Sequence, residues 1–130
     1  MKLESIKTVS ELSNNLLFKK LCVVENFSKI MPQNISKFEI IDENTFVFSL
    51  KGMPSLKLKI DEKENPNRIK LSSVDSKIVF SLTAHILEND NNTSLFYLEF
   101  LGDLNPMMVM MVKTPLQTFI DELSSNINSF

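Results

Sequence analysis

From residue 37 to residue 103 the chain alternates apolar and polar side chains in one short segment after another, each closed by a turn signal. Residues 55–61 show the pattern most strictly, with Leu56, Leu58 and Ile60 on one phase and Lys57 and Lys59 on the other. A period of two is that of a strand covered on one face only. Strands are expected at 37–41 and 45–50, around the Asp42-Glu43-Asn44 turn. Lys51-Gly52-Met53-Pro54 makes the next turn, where Gly52 is free to take a positive φ. Asn65-Pro66-Asn67 leads into a strand at 68–72. A long strand at 77–88 places Ile78, Phe80, Leu82, Ala84 and Ile86 on one face. The polar run 89–92 then turns the chain into 93–103, where Phe96, Leu98 and Phe100 alternate with Tyr97 and Glu99. Connections this short make the sheet antiparallel. Its single apolar face must be covered by another element.

That cover is a helix from Asn105 to about Asn128. Asn105 is an N-cap, and Pro106 sits at the first helical position, where a missing N–H costs nothing. Leu116, Phe119, Ile120, Leu123 and Ile127 recur at helical spacing, with Thr118, Asp121, Glu122 and Ser125 opposite. Carried backward, the apolar face takes in Val109 and Val112 and leaves Met107, Met110 and Met111 on the side that ought to be wet. Three readings compete for these methionines: the mouth of a cavity, a subunit interface, or burial under loops. Pro115 favours turning them inward, because an interior proline removes a backbone bond and bends a helix.

Ahead of the sheet, residues 2–9 read as a short strand. Thr8 followed by Glu11 is a capping-box pattern for a helix whose apolar face holds Leu12, Leu16, Leu17 and Leu21. A second helix at 25–31 stops at Pro32, since the residue before proline avoids the helical region.

Counting side chains removes most chemistries. The 130 residues, 43% hydrophobic and 23% charged, suit one globular domain, 1–130. A net charge of −2 gives no footprint for nucleic acid. No apolar run approaches the ~20 residues of a membrane span, and residues 1–10 are too polar for a signal peptide. With Cys22 alone and best read as a packing residue, the expected compartment is the cytoplasm. One histidine and one cysteine cannot build a metal cluster or a redox pair, and two glycines cannot build a phosphate cradle. His85 falls on the outer phase of its strand beside Ser81 and Thr83. The inner phase holds Phe46, Phe48, Leu50, Leu58, Ile69, Phe80, Leu82, Phe96 and Phe100 and no titratable group. Such a face can bind but has little with which to move protons.

Several stretches carry a family resemblance: 103–111 (Asp-Leu-Asn-Pro-Met-Met-x-Met-Met), 115–123 (Pro-Leu-Gln-x-Phe-x-Asp-x-Leu), Phe18-x-x-Leu21, Asn26-Phe27 ahead of Met31-Pro32, and Lys51-Gly52-Met53. In these the chain resembles the small stand-alone bacterial proteins of the START-like superfamily, whose helix-grip fold is shared with polyketide cyclases and birch-pollen-type allergens. The resemblance implies an α+β fold, a curved antiparallel sheet gripping a long C-terminal helix beside two short N-terminal helices. It also implies an apolar cavity for a lipid or other hydrophobic small molecule. Phe46, Phe48, Phe80, Leu82 and Phe96 from the sheet, with Met107, Met108 and Met111 from the helix, are its expected lining. The expectation is a non-enzymatic binder without a cofactor. The alternative is an interaction protein whose Met107–Met111 patch meets a partner or forms a homodimer, and a cyclase-type enzyme stands third.

Overall fold

A computed structural model describes every residue except Asn34, Gly52, Ser76 and Lys77. The positive φ expected at Gly52 and the strand start expected at Lys77 therefore lie outside the described residues. Eight strands form one sheet: β1 (Lys2–Glu4), β2 (Thr8–Ser10), β3 (Ile35–Asp42), β4 (Thr45–Leu50), β5 (Leu56–Glu64), β6 (Arg68–Ser73), β7 (Val79–Glu88) and β8 (Ser94–Asp103). Their order is β1-β8-β7-β6-β5-β4-β3, with β2 also on β8, and the pairs are antiparallel throughout. The helices are α1 (Asn14–Leu21), α2 (Phe27–Ile30) after a 3-10 turn at Val24–Asn26, and α3 (Pro106–Ser125). None of them is long and apolar enough to cross a membrane, among the described residues.

The alternation resolves as the sequence suggests. Leu56, Leu58 and Ile60 are buried, as are Phe80, Leu82, Ala84, Ile86, Phe96, Leu98 and Phe100. Register shifts between β3 and β4 and between β5 and β6 each insert an extra residue, and such bulges bend a sheet. The curved sheet grips α3, whose Leu116, Phe119, Ile120 and Leu123 close the core.

Two expectations at the N-terminus are corrected. The segment 2–9 is two strands, because Ser5 leaves the regular ladder: its hydroxyl, besides its N–H, engages Leu98, accepting from the Leu98 N–H at 2.8 Å. Thr8 does not cap a helix. Its backbone pairs opposite Phe96 and its hydroxyl meets Ser124 at 3.0 Å, so tertiary partners claim it. The cap passes to Ser13, whose Oγ accepts from the Leu16 N–H, and α1 buries Leu17, Phe18 and Leu21 while Leu16 stays half exposed. At the other end, α3 stops at Ser125 rather than near Asn128. Asn126 instead donates its side-chain amide to the Ile30 carbonyl, and Asn128 donates to the Val9 carbonyl.

Candidate functional site

The inner face of the sheet is built from phenylalanine. Phe46 and Phe48 leave β4 on the same side, and their rings belong to a series running Phe27, Phe46, Phe48, Phe119 with centroid separations of 5.2, 6.1 and 4.9 Å. The last step joins the sheet to α3 nearly face to face, at 12°. Phe80 belongs to a second group, stacked on Phe100 at 5.2 Å with Leu82 opposite Phe100 in the register. Gly102 makes room for this pair, since a Cβ there would stand 2.9 Å from the Phe100 ring. Phe96 is fully buried opposite Ile86, with its carbonyl 3.5 Å from the Ser124 hydroxyl. No Asp, Glu, Lys, Arg or His is buried among the described residues. Nor does any group of three or more His, Cys, Asp or Glu there stand close enough to hold a metal.

The structure thus brings Phe46 and Phe48 together, and Phe80 with Leu82, but it separates the methionines from both. Met108 is partly buried against the core. Met107 and Met111 are 73% and 71% exposed, and Met110 is 86% exposed, so the expectation that Met107 and Met111 line a cavity is corrected. Pro115 lies within one continuous helix. The helical phase fixed by Leu116 and Phe119 therefore runs back through buried Val112 and holds the three methionines outward.

Sequence reasoning missed a crevice of about 190 Å³ beside Pro115. Leu50 and Phe119 floor it, Pro32 and Pro115 wall it, and Thr118, Glu122 and Lys51 edge it. The two prolines mark where α2 ends and where α3 lacks a backbone donor. That each is a local breaker was visible in the sequence; that they face one hollow was not. Leu50 and Phe119 also belong to the core cluster, so the crevice is the place where the inner face meets the surface.

The outer face carries the titratable groups. His85 Nε2 lies 3.3 Å from Glu99 Oε1, and its ring stacks on Tyr97 at 4.6 Å. Lys2 reaches Glu99 at 3.1 Å, and the Lys7 ammonium sits 5.4 Å over the Tyr97 ring. Partial burial is the largest single influence on Glu99 and pushes its carboxyl upward. Lys2 and His85 together outweigh it and hold the group below the usual carboxylate value. This is the outer-face placement expected for His85. Cys22 is half buried, and burial pushes its thiol up against a smaller opposing effect of Lys63.

No protein-family model and no curated protein matches the sequence. Solved structures do match the fold. Norcoclaurine synthase from Thalictrum flavum, a point mutant in complex with a transition-state analogue, superposes with a TM-score of 0.71 at 13% identity over 98% of this chain and 93% of that one. The KanY protein gives 0.78 at 10% identity over 98% and 94%, and a conserved protein from Geobacillus kaustophilus gives 0.69 at 10% over 98% and 92%. The chain has the helix-grip fold. These neighbours correct the expectation of a non-enzyme: they include a synthase built on this same fold, so the fold does not exclude an enzyme.

Proposed function

We propose that this single helix-grip domain binds a hydrophobic small molecule or lipid between its sheet and α3, entering through the crevice beside Pro115. The observation that carries this reading is the continuity of the crevice floor, Leu50 and Phe119, with an inner face free of charge. The fold supports it, since its superfamily is one of hydrophobic-ligand binders. A hollow of about 190 Å³ is below the ~300–1,000 Å³ of ordinary ligand pockets. It accommodates one ring or a short acyl chain, and a larger guest requires the part of α3 before Pro115 to swing away. Phe46, Phe48, Phe80, Leu82 and Phe96, with Met108, are the side chains such a guest would meet. A lone free cysteine suits a reducing compartment, and a cytoplasmic binder is part of the reading. Native mass spectrometry of gently purified protein tests it. A co-purified apolar molecule, lost in a Leu50→Asp variant that keeps its fold, is the expected result. Bare protein that also ignores added medium-chain alcohols overturns it.

A second reading has its own support. Met107, Met110 and Met111 form an exposed apolar group on one helix face, and flexible, polarizable methionines suit adaptable protein contacts. Here the chain is an interaction protein, with a partner or a second copy covering the patch. Sedimentation of the parent and of a Met107→Glu, Met111→Glu double variant tests it: loss of self-association with an unchanged fold supports it, and a monomeric parent that captures no partner removes it.

A further inference from the structure

A larger hollow of about 610 Å³ adjoins the crevice along α3, and the two share Pro32 and Glu122. Their linings differ in kind. The smaller rests on Leu50 and Phe119, while the larger is edged by Lys29, Gln33, Asn126 and Ser129. Glu122 stands at the junction, one helical turn after Phe119, and is half buried. Its backbone carbonyl is taken by the Asn126 N–H and the Ser125 hydroxyl. Its carboxylate has no hydrogen bond and no ion pair among the described residues. Lys29 and Lys51 each edge one hollow only, are exposed, and make no ion pair with it.

We infer that the ligand is amphipathic and ends in a protonated amine, with its apolar body in the crevice and its ammonium on Glu122. This rests on the binding reading above and adds the polarity of the guest. An ionised carboxylate only accepts hydrogen bonds, so the group that satisfies it must donate. An ammonium donates and also neutralises the charge, making the charge-assisted pair that is the strongest of the choices. A hydroxyl supplies one neutral bond. A carboxylate or phosphate end would be set against Glu122 where the two hollows meet. The two lysines do not reverse this, because their long stems leave the ammoniums free to extend into water.

Octylamine, octanol and octanoate, all kept below their micelle concentrations, share one apolar body and differ only at the end. Calorimetric titration of the parent is expected to rank octylamine first and octanoate last. Glu122→Gln, checked by thermal melting for an intact fold, should weaken octylamine about tenfold, equivalent to ~1.4 kcal/mol, and leave octanol unchanged. Glu122→Lys should bring octanoate to the front. Equal binding of all three, unmoved by Glu122→Gln, leaves the apolar site standing and overturns the assignment to Glu122. Octanoate binding best in the parent overturns it in favour of the lysines. Binding of none of the three overturns the assignment together with the reading beneath it.

Discussion

Before Pro115, α3 carries four methionines and two valines; after it, the helix mixes leucines, Phe119 and Ile120 with Gln117, Asp121, Glu122 and serines. The more apolar half is nonetheless the more exposed. Its Met107, Met110 and Met111 face solvent, while Leu116, Phe119, Ile120, Leu123 and even Ser124 are buried. What distinguishes the halves is how they are tied. Gln117 donates to the Glu4 carbonyl at 2.8 Å, and Asp121 accepts from the Ile6 N–H at 2.9 Å. Ser124 donates to the Ile6 carbonyl at 2.8 Å. The two bonds at Ile6 use backbone that the break between β1 and β2 releases from the ladder, and the one at Glu4 uses the end of β1, so the split strand is tied to the helix at its break. No side chain of 106–114 bonds to the sheet among the described residues; the Asn105 cap on the Met108 N–H is local. Burial here follows the registration of polar groups along with apolar content.

The comparison breaks most sharply at Phe119. Its ring joins α3 to Phe48, and truncation to alanine removes both the transfer energy and the stack, so Phe119→Ala is expected to cost about 3–5 kcal/mol in chemical denaturation. A loss below about 1 kcal/mol would mean that the second half does not anchor the helix as its packing indicates. Pro115→Ala works in the opposite direction. Restoring an N–H toward the Met111 carbonyl should stabilise the protein by roughly 1–3 kcal/mol and slow amide exchange in 110–114. In the parent, amides at 109–114 should exchange faster than those at 119–124. Uniform protection along α3 would erase the distinction between the halves. Ser124→Ala removes a buried hydroxyl that touches both Ile6 and Thr8, and about 1–2 kcal/mol should follow in the same denaturation assay.

Local rules reached the strands and the helix because each rests on side-chain period and on breakers that act over a few residues. The phase of the inner face, down to Phe46, Phe80 and Phe96, follows from a period of two alone. Thr8 shows where that reasoning fails: a capping box is a local preference, and its partner Ser124 lies at the other end of the chain. The groove was out of reach for the same reason, since Pro32, Leu50 and Glu122 come from the connection after α2, from β4 and from α3, and meet only after the sheet has closed on α3. The methionines are a different case. Helical phase alone places them outside, and Pro115, held within one continuous helix, does not turn them inward.

The smallest expected effect is the most discriminating. Met107 and Met111 are more than two-thirds exposed, so replacing both by glutamate leaves the new carboxylates hydrated. The folded chain then loses little more than side-chain contacts, and its denaturation midpoint should move by no more than about 0.5 kcal/mol equivalent, as for Thr118→Ala on the same helix. If the parent associates through this face, the same charges become buried and unpaired in the interface, and the assembly should dissociate while each chain stays folded. A large drop in melting temperature of a monomer has only one source. It would mean that the first half of α3 lies against the sheet in solution, with its methionines covered, and the contrast between the two halves would fail. Sedimentation and thermal melting on one double variant therefore separate a free surface, an interface and a buried lid.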